Sequence, residues 1–235
     1  MSQLQKKPEP LMAYPYHLPD KPVPNGPYIS YEEFFDWADE DTLAEWVDGR
    51  IHLGSPASWQ HQQIAGLLYE VLTTYSRLFD LGVVLQNPFQ MKLGGQRGSG
   101  REPDVMFLSK LHQARLENGL VRGPADLVIE ITSPESEWRD RYIKFQEYAI
   151  GGVPEYWLVD PGQQQAEFYR LDDQGHYHSQ PLDAENRYTS QVLPGFWLKP
   201  AWLWLQPLPD AQDILKLVGG ETFAVYQNRP PRSDL

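Results

Sequence analysis

The run Asp126–Thr132, DLVIEIT, does most to fix a fold for this chain. A near-continuous apolar run of strand length belongs at the centre of a sheet. After a short polar break comes the helical stretch EWRDRYIKFQEYAI, which stops at Gly151-Gly152. Two further strands follow, EYWLVD and AEFYRL, separated by PGQQQ. The central run also holds an acid. Strand alternation turns Leu127, Ile129 and Ile131 to one face and Val128, Glu130 and Thr132 to the other. A charge on a covered strand is seldom left without a partner.

Upstream, SYEEFFDWADE reads as a short helix, with Ser30 and Glu33 in capping-box spacing. In EWVDGRIHL, Asp48-Gly49 is a two-residue hairpin turn between short strands. From Ser58 to Phe79, Ile64, Leu67, Leu68, Val71, Leu72 and Tyr75 recur at three and four, which predicts an amphipathic helix. GVVLQ, FQMKL and PDVMFLS read as strands, with GGQRGSGRE a flexible hairpin connection between the last two. Residues 111–124 read as a polar, partly helical connection, and GHYHSQPL as an edge strand. The predicted class is α/β (α+β): one mixed central sheet flanked by helices. The proline-rich stretch 1–27 reads as an extended N-terminal arm, 28–205 as the domain, and 206–235 as a C-terminal tail.

Composition narrows the chemistry. Without cysteine there is neither a disulfide frame nor a thiolate metal site. No signal-peptide pattern opens the chain, and the apolar stretch near residue 200 is short and interrupted by proline, so a soluble, cytoplasmic protein with no membrane association is expected. The formal charge of −12 argues against a broad basic surface for non-specific nucleic-acid binding, but not against a local basic channel.

Asp104 stands at the start of PDVMFLS, and pairing of that strand with DLVIEIT brings Asp104 and Glu130 together at one end of the sheet. Two carboxylates in a partly apolar cleft form a hard-oxygen site of the kind Mg²⁺ or Mn²⁺ prefers. Other readings stand beside this one. A lone Asp after Pro at a strand start is more often a turn or cap residue, and Glu130 could pair with an Arg or Lys. Lys144 has Asp140 four residues before it, the spacing of an ordinary surface ion pair. His61 lies near the apolar face of the long helix, where an interface histidine is expected rather than a ligand.

In succession, EWVDGRI, PDVMFL, DLVIEITSPES, RDRYIKFQEYA and GVPEYWLVDP resemble the Uma-type restriction endonuclease family of the PD-(D/E)XK nuclease-like superfamily. The resemblance runs from about Tyr31 to about Leu205 and is most specific from Asp126 to Pro161. It implies a restriction-endonuclease-like fold and Mg²⁺- or Mn²⁺-dependent hydrolysis of DNA phosphodiester bonds. It also implies Asp104, Glu130 and the backbone carbonyl of Ile131 as metal ligands, and Glu45 as a further acid of the site. The superfamily's simplest pattern has a lysine two residues after the second acid. Thr132 stands there, and the resemblance places the lysine at Lys144 on the following helix. Arg97 and Arg101, on the loop before Asp104, become candidates for phosphate contacts, or plain solubility residues. Cleavage of both DNA strands often takes two sites, which makes a homodimer an expectation. An alternative also follows: a nuclease-fold module that binds nucleic acid or protein without turnover, favoured by the acidic charge and by Thr132. A carbohydrate-active reading, prompted by eight Trp, thirteen Tyr and paired acids, is weaker, because most of these aromatics fall at core positions.

Overall fold

The computed structural model describes residues 28–38, 42, 44–53, 57–94, 98–134 and 136–227. The proline-rich arm and Arg97 lie outside the described residues. In chain order the structure runs α1 (Tyr31–Trp37), β1 (Ala44–Val47), β2 (Arg50–Leu53), α2 (Trp59–Phe79), β3 (Gly82–Gln86), β4 (Gln90–Lys92), β5 (Gly100–Arg101) and β6 (Val105–Ser109). A 3₁₀ turn at Lys110–Arg115 leads into β7 (Leu116–Glu117), β8 (Leu120–Arg122) and β9 (Leu127–Ile131). A π-helical turn at Arg139–Lys144 runs directly into α3 (Phe145–Gly151). Then come β10 (Glu155–Asp160), β11 (Gln165–Leu171), β12 (Tyr177–Ser179), β13 (Tyr188–Thr189), β14 (Trp197–Leu198) and α4 (Ala211–Gln227). Among the described residues, no helix is long and apolar enough to cross a membrane.

The central sheet is mixed, in the order β12-β11-β10-β9-β6-β3. β9 lies parallel to β10, reached through α3, and antiparallel to β6. All five β9 residues are buried. Leu127, Ile129 and Ile131 pack with Ile64, Leu68 and Leu72 of α2, and Ile214, Leu215 and Phe223 of α4 extend the same core. Val128 faces the other way, toward Met106, Leu108, Tyr156 and Leu158. The two-face reading of DLVIEIT therefore holds.

A second six-stranded sheet, β2-β1-β5-β4-β8-β7, covers that other face together with α3. Met91 of β4 and Val121 of β8 bury against the central sheet, while Tyr31, Phe34 and Trp37 of α1 close the far side against Trp46. The sequence pointed to one sheet. The extra strands β5, β7 and β8 have two or three residues each, too few for alternation to register.

Local signals explain the elements that carry polar groups toward the centre. Asp48 and Gly49 turn the β1–β2 hairpin with φ of 47° and 80°, the positive values that a tight two-residue turn requires. The Ser58 hydroxyl accepts from the His61 N–H and caps α2. Ser58→Ala is expected to lower stability by about 1 kcal/mol, read from the midpoint of urea unfolding. An unchanged midpoint would mean that packing alone sets the start of α2.

Candidate active site

Elements of both sheets and the helices between them bring polar side chains to the seam between the two sheets. The antiparallel register of β6 and β9 pairs Val105 with Ile129, which sets Asp104 beside Glu130. Asp104 Oδ2 accepts a 2.7 Å hydrogen bond from the Ile131 N–H. The same oxygen lies 3.1 Å from His61 Nε2 at the start of α2. Glu45 comes from β1 of the second sheet, so the site is built by both sheets.

Lys144 is not a surface residue. Its side chain is 4% exposed, and its Nζ stands 2.9 Å from Glu130 Oε1, 3.3 Å from Glu45 Oε1 and 3.6 Å from Asp140 Oδ1. The ion pair with Asp140 expected from their spacing exists, but it is buried and belongs to a larger cluster. Glu130 Oε1 also accepts from the Tyr148 hydroxyl at 2.5 Å. Asp140, Lys144 and Tyr148 are spaced by four. In an α-helix such positions drift forward by about 40° each time. The wider π turn between Asp140 and Lys144 lags instead, which offsets the drift from Lys144 to Tyr148. All three side chains are buried as a result.

Arg101 takes a different place from the one its sequence position suggested. It is 1% exposed, with Nη1 donating to Glu45 at 2.9 Å and Nε and Nη2 donating to Glu147 at 2.8 and 2.9 Å. Its fork is turned inward on two acids and fixes Glu45. The Glu102 N–H adds a 3.3 Å bond to Glu45 Oε1.

The electrostatics follow from this crowding. Burial alone would raise the Glu45 carboxyl, but Lys144, Arg101 and Arg139 overcome it and hold Glu45 at about 2. Glu130 goes the other way. Burial, reinforced by Asp140, Asp104 and Glu45, pushes it up to about 8 against the pull of Lys144. Lys144 itself is raised, because its acid neighbours outweigh its desolvation. One ammonium thus serves several acids, and the proton they cannot all give up stays on Glu130. Burial also raises Glu102 to about 7. Burial alone would lower His61, but its bond to Asp104 together with the charges of Asp104 and Asp140 raises it.

Among the described residues, no group of three or more Asp, Glu or His side chains is placed to hold a metal ion. The Lys144 ammonium stands among the acids instead. The donor chemistry nevertheless fits a hard divalent cation. The hard-oxygen donors there are the paired carboxylates of Asp104 and Glu130, while Asp140 Oδ1, buried with no hydrogen-bond partner, lies between the Lys144 and Arg139 cations.

Sequence reasoning named Asp104, Glu130, Lys144 and Glu45, and the structure gathers all four. It did not name Asp140, Tyr148 or Glu147 as site residues, and it treated His61 as an interface residue. The four-residue spacing of Asp140, Lys144 and Tyr148 was the available signal for two of these.

A family model described as "Uma2: Putative restriction endonuclease" matches residues 31–201. Among solved structures, the chain is similar to one described as a "putative nuclease belonging to DUF820" from Anabaena variabilis ATCC 29413. The two are 18% identical, with a TM-score of 0.62, over 75% of this chain and 97% of that one. At that identity, the likeness is one of fold. No curated protein matches the chain.

Proposed function

This chain belongs to the Uma2 restriction endonuclease family and has a restriction-endonuclease-like mixed sheet flanked by helices, and on that premise we propose that it is a Mg²⁺- or Mn²⁺-dependent endonuclease that hydrolyses DNA phosphodiester bonds. The observation that carries the reading is the meeting of Asp104 and Glu130 from paired strands, with Lys144 Nζ 2.9 Å from Glu130. Asp104, Glu130 and the Ile131 carbonyl would hold the cation. The Ile131 N–H already points at Asp104, and in a strand a residue's carbonyl faces the same side as its N–H. When bound, the divalent ion lowers the pKa of a bound water and offsets charge at phosphorus.

The chain's own groups do the remaining work. Lys144 orients the attacking water or offsets the developing negative charge, a role that suits a buried, fixed ammonium. Tyr148 fixes the rotamer of Glu130, and Arg101 holds Glu45 where it faces Lys144. His61 orients Asp104 through Oδ2.

A second reading, a nuclease-fold module without turnover, is favoured by one observation: the Lys144 ammonium stands where the acids would close on a metal. Nicking of supercoiled DNA with Mg²⁺ or Mn²⁺ separates the two. Wild type is expected to nick, and Asp104→Ala and Glu130→Ala to nick at least about 100-fold more slowly. Equal rates in all three would leave only the binding module.

A further inference from the structure

Two cations flank one buried oxygen in this site, and they face different surroundings. Asp140 Oδ1 stands 3.6 Å from Lys144 Nζ and 3.8 Å from Arg139 Nε. Lys144 is sealed in and makes its close contact with Glu130. Arg139, at the start of the π turn, has a side chain that is 39% exposed. A charge-assisted hydrogen bond to a carboxylate closes to about 2.7–2.9 Å. Arg139 Nε makes no such bond with Asp140, and it is buried with no hydrogen-bond partner. An arginine kept only as a counter-ion closes on its acid, as Arg101 does on Glu147 at 2.8 Å and Arg141 on Glu137 at 3.1 Å.

The second sheet shows where the site opens. Met91 of β4 pairs with Arg101 of β5, Arg101 bonds to Glu45 of β1, and Glu45 pairs with His52 of β2. Cross-strand partners lie on one face of a sheet, so these four side chains form a row. Met91 and Arg101 are buried, Glu45 is partly exposed, and His52 on the edge strand is exposed. The row runs outward from the acids to the edge at β2. Arg139 stands near its outer half. Its charge, with those of Lys144 and Arg101, holds Glu45 low against burial. Partial desolvation and the charges of Arg101, Arg139 and Arg50 likewise keep His52 below its ordinary value, against the pull of Glu45. The opening is thus locally cationic in a chain of formal charge −12. Arg101 is committed inward, whereas Arg139 keeps a donor open beside the acids.

We propose that Arg139 receives a backbone phosphate of the nucleic-acid substrate, at the opening between the π turn and the edge strand β2. The inference rests on the nuclease reading above and deepens it by naming a substrate contact; it requires no metal. A planar guanidinium fork takes two phosphate oxygens at once, which suits a donor set that Asp140 leaves open. Lys144 stays with Glu130 while Arg139 meets the incoming strand. Phosphate contacts set position and carry no sequence information, so the contribution of Arg139 is the same for every DNA sequence.

Binding of a short fluorescein-labelled DNA duplex to the full chain in EDTA, followed by anisotropy over a range of KCl concentrations, tests this without cleavage. Arg139→Gln is expected to weaken binding about tenfold at low salt and to lower the slope of log K against log salt by about 1. Arg139→Lys should keep the slope and recover part of the affinity, since it retains the charge and loses the fork. Arg77→Gln controls for net charge: Arg77 is exposed on the last turn of α2, about 24 Å along that helix from His61, and its loss should change neither quantity. An arginine with a merely structural role would lower the melting temperature and shift affinity equally at every salt concentration. An unchanged slope in Arg139→Gln therefore overturns the inference, and so does an equal loss in Arg77→Gln. Nicking by wild type separates the two levels. If wild type nicks DNA while Arg139→Gln keeps the wild-type slope, only the role of Arg139 is withdrawn. If wild type neither binds nor nicks DNA, the nuclease reading falls and this inference with it.

Discussion

Arg101→Met is expected to destabilise this domain by about 3–5 kcal/mol, the usual consequence of removing one partner from a buried ion pair. Arg101 is 1% exposed and is the common partner of Glu45 from β1 and Glu147 from α3. Without the guanidinium, the two acids lose three hydrogen bonds at 2.8–2.9 Å. They must then take up protons or draw water into the seam. For a chain of this size the loss corresponds to a melting temperature lower by about 6–20 °C. Arg101→Lys should recover little, because one ammonium cannot reproduce a fork that binds two carboxylates at once. Calorimetry or circular dichroism reads the result directly. A loss below about 1 kcal/mol would show that Glu45 and Glu147 reach solvent easily and that the second sheet is not tied to the site through Arg101.

Glu130→Gln is expected to do two opposite things. Without metal it should stabilise the protein, and increasingly so as the pH rises. In the folded chain Glu130 is held at about 8 against an ordinary 4.5. Below about 4.5 the acid is protonated in both the folded and unfolded states, and the substitution changes little. As pH rises from there toward 8 the unfolded chain gives up the proton and the folded chain does not, so wild type loses stability across that window. A glutamine has no proton to lose, and its carbonyl can still accept from Tyr148 and Lys144. The variant should therefore exceed wild type by more than about 1 kcal/mol at pH 8 and by almost nothing at pH 4. With saturating Mg²⁺ the gap should narrow: wild type gains about 2.7 kcal/mol at a hundredfold excess over Kd, and the variant does not. Nicking should fall at least about 100-fold. A stability difference that stays flat with pH, or Mg²⁺ stabilisation that survives in the variant, would contradict the assignment. Such a residue trades stability for function.

What could be read in advance follows from which signals are local. The Asp48-Gly49 hairpin, the amphipathic helix after Ser58 and the two faces of DLVIEIT are set by neighbours in sequence, and each stands in the structure as read. Asp104 and Glu130 were brought together by a single step, the pairing of two recognisable strands. Lys144 resisted the same logic. Its spacing to Asp140 is identical on an exposed helix and a buried one, and only the second sheet, which buries it, tells the two apart. That sheet was hidden because its short strands gain their order from packing Met91 and Val121 against the central sheet rather than from alternation. Arg101 and Glu147 are partners 46 residues apart, and His61 and Asp104 are 43 apart. Nothing local links either pair.

The π turn at Arg139–Lys144 has a further consequence for the tolerance of this gene segment to changes in length. A π turn holds one residue more than the α-helical turn it replaces, and flanking helix is unbroken on its C-terminal side. Loss of a single codon at the exposed Tyr142 would let the segment relax to ordinary helix, while Asp140 and Lys144 would fall out of line with Glu130. A one-residue deletion would there take Lys144 away from the buried acids Glu45 and Glu130 even though the helix continues, so the length of this one turn is as much a part of the site as its side chains.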